Sequence, residues 1–334
     1  MGIKDLWTIV NKLDNVYQDI PCSEFEDGSV AIDSSLLFYQ LKDVVVKKLC
    51  VRADMKTGVI DKDIIYRKLL KMILHFTISW LKRNITPVYC FDGKAPEAKS
   101  AERQKRADTK LKYQERLSIV LTKLLNEPKT DKINKELMLC IRQTNNSCNR
   151  DEIAKIKLFL QSIGIPCLQS VTEAEKLCSM LGKRRKMLVH SADGDCLAYR
   201  APMIVKSFVG HDKLKCIIYN NVLEELDMND DEFLNYCIML GCDYNNRIRG
   251  VGPVAVKKII SQYGSIKRYA RKTGKDIECL NVDECLELFA EVKCSKMIDK
   301  DNSSKNLKFD KNNLSKDIFT DLKLEKFYDN LMEL

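Results

Sequence analysis

The chain has 334 residues, 45% hydrophobic and 31% charged, enough apolar material for one large domain or two modest ones. No run approaches the roughly 18 consecutive apolar residues of a membrane span, and the opening MGIKDLWTIVNKLD carries lysine and aspartate where a secretory signal needs apolar residues. A formal charge of +9 favours polyanionic partners without naming one. The 14 cysteines form no C-x-x-C pair and the 3 histidines have no zinc-ligand spacing to them, which predicts buried free thiols in a reducing, intracellular compartment.

In chain order, the first buried-strand pattern is VAID, which stops at Asp33. From Asp61, DKDIIYRKLLKMILHFTISWLKR sets Ile64, Ile65, Leu69, Ile73 and Phe76 at three- and four-residue spacing, the stripe of a core-facing helix. PVYCFDG is a second strand pattern and stops at Asp92 and Gly93. Lys94 to about Cys148 is polar, basic and helical in pattern, a helical excursion over the sheet edge with a break expected at NEPKTD around Pro128. IPCL, within SIGIPCLQSVTEAE, is a short extended run feeding a helix with Glu173 and Glu175 at its start. KMLVHSADGD stops at Asp193 and Asp195, and the apolar helix DEFLNYCIMLGCDY runs into Gly241 with Asp243 close behind. In RIRGVGPVAVKKII, Gly250 and Gly252 permit a tight turn and Pro253 suits a first helical position, a hairpin between helices. Residues 295–320, rich in Lys, Asp, Asn and Ser, predict a loosely ordered connector. Strands alternating with helices imply an α/β fold, a mainly parallel central sheet flanked by helices.

The TEAE stretch admits two readings. Thr172 is a good N-cap and Glu175 stands three residues on, as in a capping box; alternatively Glu173 and Glu175 are half of a metal site. Each strand-end acid likewise fits an ordinary turn or helix end. Ligands of parallel sheets bind beyond the carboxyl ends of the strands, so Asp33, Asp92, Glu173, Glu175, Asp193, Asp195 and Asp243 are expected to converge. Such a set would repel itself unless cations sat among it. All-oxygen donors suit Mg²⁺ or Mn²⁺, and two such ions serve phosphodiester hydrolysis. Lys99, Arg103 and Arg106 follow helical spacing on one face directed at the acidic edge, where a cation suits a phosphate gaining charge; a solvated basic face is the alternative. Backbone amides at the Gly250 and Gly252 turn can grip a DNA phosphate, and a plain interhelical turn is the alternative there.

Together, MGIKDLW, VAIDSSLLFYQ, PVYCFDGKAPEAKSAERQKR, GIPCLQSVTEAEKLC, SADGDCLAYRAP and LGCDYNNRIRGVGP resemble the flap endonucleases of the structure-specific 5′ nuclease superfamily, over most of residues 1 to 270. The resemblance implies a PIN-like 5′ nuclease fold with a helical arch and a helix-hairpin-helix element. It divides the chain into a nuclease region (1–106), an arch insertion (107–148), an internal nuclease region with the hairpin (149–270) and a C-terminal extension (271–334). It implies two Mg²⁺ ions, with Mn²⁺ as substitute, held most closely by Asp92, Glu173, Glu175, Asp193 and Asp195, with Asp33 and Asp243 acting through water. Lys99 and Arg106 match the family's basic pair on the scissile phosphate, and Tyr39 matches the ring that stacks on the terminal base. Gly2 matches a processed amino terminus near the active site, and Arg103, Gly250 and Gly252 fall in DNA-contacting segments.

This chain departs from the family in several places. Val254 and Ala255 replace basic residues of the hairpin, which shifts phosphate contact to Lys257 and Lys258. Arg247 replaces a small hydroxyl residue that helps bind potassium, putting that ion in question and offering a guanidinium instead. DLKLEKFYDNL resembles a sliding-clamp-binding box in Leu324, Phe327 and Tyr328, with Asp321 in place of its glutamine; a short amphipathic terminal helix is the alternative. The implied activity is Mg²⁺-dependent cutting of 5′-flapped DNA near the junction, in lagging-strand maturation and base excision repair, by a monomer acting on flapped, nicked or gapped DNA away from membranes. The nucleus, or a viral replication site, would be its place. A 5′ to 3′ exonuclease of the same superfamily, a noncatalytic branched-DNA scaffold and an acidic-site phosphatase are the competing readings.

Overall fold

A computed structural model of the chain describes residues 2–50, 60–126, 130–290 and 307–334. The chain forms two compact units that alternate along the sequence. The first takes Met1–Asp33, Arg83–Ser100 and Leu168–Leu307; the second takes Ser34–Lys82, Ala101–Cys167 and Lys308–Leu334.

In chain order the elements are α1 (Leu6–Val10), β1 (Tyr17–Pro21), β2 (Ser29–Asp33), α2 (Ser34–Cys50), α3 (Lys62–Leu81), β3 (Thr86–Phe91), α4 (Ser100–Asn126) and α5 (Asp131–Asn145). Then come α6 (Arg150–Ser162), β4 (Cys167–Gln169), α7 (Ala174–Arg185), β5 (Leu188–His190), α8 (Asp195–Ala198), β6 (Met203–Val209) and β7 (Lys213–Ile218). They are followed by α9 (Tyr219–Leu226), α10 (Asp230–Leu240), α11 (Pro253–Tyr263), α12 (Ile266–Thr273), α13 (Val282–Phe289), α14 (Lys316–Asp321) and α15 (Glu325–Met332).

The first unit is built on a 7-stranded sheet in the order β1-β7-β6-β5-β2-β3-β4. Its centre is parallel: Ala31 of β2 lies opposite Val88 of β3 on one side and Val189 of β5 on the other. Val30, Ala31 and Ile32 are all fully buried, as a central parallel strand covered on both faces requires. One edge is antiparallel, where β6 and β7 form a hairpin and β1 pairs with β7. Leu177, Cys178 and Leu181 of α7 pack with Ala31, Val88 and Val189, so the helix that follows β4 is seated on the sheet by its apolar face. The helices α10 and α11 add Phe233, Tyr236, Ile238, Val256 and Ile260 to the same core. The start of α10 is fixed by a capping box in which Asn229 accepts from Glu232 N and Glu232 reaches back to Asn229 N.

The second unit is helical. Asp61 caps α3 through Asp63 N, and Ile65, Leu69 and Ile73 are buried as the stripe required, with Ile64 at its exposed margin. Val45, Val46, Ile65, Val120, Leu137 and Ile141 from α2, α3, α4 and α5 share one core. The break expected at Pro128 lies outside the described residues, as do residues 295–306 of the expected connector. The remainder of that connector is more ordered than its composition suggests: it contains α14, whose Phe319 is fully buried between Phe159 and Tyr328.

The terminal helix α15 is built into this unit. Leu324, Phe327 and Leu331 are buried, Phe327 meets the His75 ring edge-on at 4.7 Å, and Tyr328 lies against Phe319 at 5.7 Å. The terminal box thus turns its leucine and first aromatic into the unit's own core, as an amphipathic helix does. Phe327→Ala is expected to lower the stability of the protein by about 3–5 kcal/mol, the cost of a large buried aromatic. A denaturation midpoint equal to the parent's would show that α15 does not pack this way.

Among the described residues all cysteines are free, and all but Cys148 and Cys279 are buried. No described helix is long and apolar enough to cross a membrane.

Candidate active site

The acids of the first unit stand where parallel strands end. Asp33 closes β2, Asp92 follows β3, Glu173 follows β4 at the start of α7, and Asp193 and Asp195 follow β5. Asp243 enters from the loop after α10. Asp33, Glu173, Glu175, Asp193 and Asp195 are buried, an arrangement that costs free energy unless something compensates their charge.

The capping box expected at TEAE does not form. Helix α7 begins at Ala174, Glu173 is its N-cap residue without a side-chain cap, and Asp92 Oδ1 accepts from Ala174 N at 2.8 Å. A carboxylate from the neighbouring strand end does the capping, which releases both glutamates. Close packing of the backbone allows this: Gly93 N donates to Thr172 O and a Cβ on Gly93 would strike the carbonyls of Ser170 and Val171.

Lys99 supplies the internal cation. It ends a 3₁₀ turn, Glu97–Lys99, rather than lying on α4, so it does not share a helical face with Arg103 and Arg106. Its ammonium donates to Glu173 Oε1, lies 3.1 Å from Asp243 Oδ2 and lies 3.7 Å from Glu175 Oε1. Burial alone would lower its pKa, but Glu175, Glu173 and Asp243 outweigh it and hold the ammonium well above its ordinary range. Burial, then Glu173 and Asp33, drive the Glu175 carboxyl well above the usual range. Asp195 moves the same way, through burial first and then Asp193 and Asp243.

A second network sets the β5 loop. The Ser191 hydroxyl donates to Asp33 Oδ2 at 2.9 Å and accepts from Asp193 N at 3.0 Å, while Asp193 Oδ1 accepts from Asp195 N at 3.0 Å. Trp7 Nε1 donates to Ala192 O at 2.7 Å, so α1 holds the same loop from outside. Gly2, in the left-handed region at φ 75°, brings its backbone so close that a Cβ there would strike Asp193 Oδ1 and Asp195 Oδ1.

These residues fit hard divalent cations. Neither carboxylate oxygen of Asp195, fully buried, has a hydrogen-bond partner, and the strand-end acids offer oxygen, the donor such ions take. As the side chains stand, no group of three His, Cys, Asp or Glu among the described residues closes around an ion. Lys99 is bound to Glu173, Glu175 and Asp243, so an ion among these acids would take over the charge that the ammonium now balances.

The other expected residues are placed as follows. Gly252 is the N-cap of α11 with Pro253 in the first turn and no side-chain cap, Gly250 has φ 79°, and Lys258 is exposed with Lys257 half-buried. Arg247 donates to Leu240 O at the end of α10 and pairs with Asp5 at 2.7 Å. In the second unit, Arg103 and Arg106 are exposed on α4, Arg106 donates to Glu102 Oε1 at 3.1 Å, and the Tyr39 hydroxyl on α2 accepts from Asn146 Nδ2 at 3.2 Å. Ser191, Trp7, Tyr199 and Tyr244 went unread in the sequence. Tyr244 donates to Glu173 Oε2, and its place beside Asp243 was the one available signal.

A family model described as the XPG N-terminal domain matches residues 1–113, and one described as the XPG I-region matches residues 164–243. Flap endonuclease 1 of Glycine max is 31% identical over 284 residues, covering 83% of this chain and 70% of its own. Flap endonuclease-1 from Methanococcus jannaschii shares the fold, with a TM-score of 0.63 and 21% identity over 99% of this chain and 98% of its own. The catalytic core of Rad2 in complex with DNA substrate does so with a TM-score of 0.62 and 19% identity, over 100% of this chain and 99% of its own. The chain belongs to the flap endonuclease family, within the XPG/RAD2 5′ nuclease superfamily.

Proposed function

We propose that this family member is a metal-dependent, structure-specific nuclease that cuts 5′-flapped DNA near the junction of single and double strands. The observation that carries the reading is Asp195, fully buried with both oxygens unbonded, in a unit whose other strand-end acids Asp33, Glu173, Glu175 and Asp193 are buried too. Its charge has a use only when a cation shares the site. Two hard divalent ions, Mg²⁺ or Mn²⁺, would stabilise the attacking and leaving oxygens of phosphodiester hydrolysis when bound. Asp92, Glu173, Glu175, Asp193 and Asp195 would hold them, with Asp33 and Asp243 acting through water.

The chain's own residues do the rest. Lys99 exchanges its carboxylate partners for the scissile phosphate and donates to the oxygen that gains charge. Arg106 supplies the second cation, Tyr39 stacks on the terminal base, and Gly2 and Arg103 line the DNA path, as their match to the family suggests. Uncapped amides at the start of α11, with Gly250, Gly252, Lys257 and Lys258, accept a duplex phosphate. Arg247 occupies the loop before α11 with its own charge, so cleavage should not distinguish K⁺ from Na⁺. Lagging-strand maturation and base excision repair are the processes such cutting serves, in the nucleus or at a viral replication site. A sliding clamp would have to draw Leu324 and Phe327 out of the core, and the burial of both favours α15 as an internal helix.

The test compares a labelled 5′ flap with a recessed 5′ end of the same sequence. Release of the flap by one cut at its base supports the proposal. Stepwise removal of nucleotides from the recessed end, with the flap left intact, would replace it with the exonuclease reading.

A further inference from the structure

Glu173 is gripped on both oxygens, and the two grips differ in kind. Oε1 accepts from the end of the long Lys99 side chain, whereas Oε2 accepts from Tyr244, a buried ring. A buried tyrosine hydroxyl requires a partner, and this one has two. Its hydrogen goes to Glu173, so the Tyr199 hydroxyl, 3.4 Å away, must donate to it in turn. The result is a chain running from Tyr199 to Tyr244 to Glu173, each member polarising the next toward the carboxylate.

Apolar packing holds this chain rigid. Tyr199 and Tyr244 both lie against Phe289 of α13, with ring centroids at 4.9 Å and 5.7 Å. The backbone of Tyr244 is tied down separately, its carbonyl accepting from Asn281 Nδ2 at 3.3 Å. Lys99 can therefore leave Glu173 without releasing it, because the second oxygen stays anchored.

We propose that Tyr244 is a positioning residue for Glu173, held in place by Tyr199, which keeps that carboxylate aimed when Lys99 moves to the phosphate. The inference rests on the metal-nuclease reading above. Groups that orient a metal-binding carboxylate typically change metal affinity or activity by about 10- to 100-fold when removed.

The experiment measures Mn²⁺ binding to the full chain without DNA, by loss of the free-ion EPR signal, together with single-turnover flap cleavage and flap affinity without added metal. Parent, Tyr244→Phe and Tyr199→Phe are compared, with melting curves to confirm folding. Tyr244→Phe is expected to weaken Mn²⁺ binding and slow cleavage about 10- to 100-fold, with flap affinity unchanged. Tyr199→Phe should shift both in the same direction by less. Unchanged Mn²⁺ affinity and rate in Tyr244→Phe would overturn the inference while leaving the nuclease reading intact. A parent that binds no Mn²⁺ would overturn both. If Tyr244→Phe does not fold, Tyr199→Phe decides alone, and parental Mn²⁺ affinity and rate in it would overturn the inference.

Discussion

Asp195→Asn, stripped of metal, is expected to be more stable than the parent protein and to lose flap cleavage. Asp195 is fully buried and its oxygens have no partners, so ionising it in the folded protein creates a charge that no hydrogen bond solvates. Burial and the neighbouring Asp193 and Asp243 raise its carboxyl well above the ordinary 3.8, and burial with Glu173 raises Glu175 above 4.5. An acid whose pKa is raised by folding contributes stability that is present below its ordinary value and lost as pH rises through its folded value. These carboxyls therefore cost the metal-free parent stability as pH climbs from about 4 toward neutrality, opposed over the same range by buried His190, whose imidazole burial holds down to about 4. Lys99 does not reverse this: its raised pKa contributes stability lost only above its ordinary 10.5, outside that window.

Replacing the Asp195 carboxylate with an amide removes part of the slope. The gain at neutral pH should be about 1–4 kcal/mol, less than the full cost of the charge because the amide also lacks partners. Cleavage should fall by about 10²- to 10³-fold or more. Melting curves in EDTA across the acid-to-neutral range read the first effect, and adding Mg²⁺ should stabilise the parent more than the variant. Parallel curves for the two proteins would contradict the burial argument.

Lys99→Met should do the opposite to stability and the same to cleavage. The ammonium contacts Glu173, Asp243 and Glu175, and the Lys99 side chain is only 12% exposed. Methionine fills much of the volume but leaves three carboxylates facing one another. Removing one partner of a buried ion pair costs about 3–5 kcal/mol, and that loss is expected in EDTA. Mg²⁺ should recover part of it, since the ions replace the missing charge. Single-turnover cleavage should fall about 10²- to 10³-fold even at saturating metal if, as proposed, Lys99 also meets the phosphate. A variant as stable as the parent without metal would show that Lys99 does not balance these acids.

The acidic edge was legible in the sequence because each strand is short, apolar and closed by its acid. VAID, PVYCFD and LVHSADGD carry both the buried strand and the residue it delivers. The long helix from Asp61 was equally plain, since its stripe is a local property. What escaped was set by tertiary contact. Thr172 fits a capping rule, yet Asp92 from the neighbouring strand caps α7 instead, and no pattern within TEAE announces that. Tyr244 and Tyr199 look like core aromatics, and only the fold brings their hydroxyls to Glu173. The β6 and β7 hairpin did leave a signal, Gly210 and His211 between two largely apolar runs. The terminal box illustrates the converse, for the spacing that suits a clamp also suits an amphipathic helix seated on its own unit.

The most direct measurement is cleavage of a labelled double-flap DNA by the parent and Asp193→Ala, each with Mg²⁺ and with EDTA. A cut at the flap base is expected from the parent in Mg²⁺ alone, with none from Asp193→Ala in either condition. Tight binding to the junction with no cutting by the parent would contradict it, and would leave the buried acids of a branched-DNA scaffold to be explained.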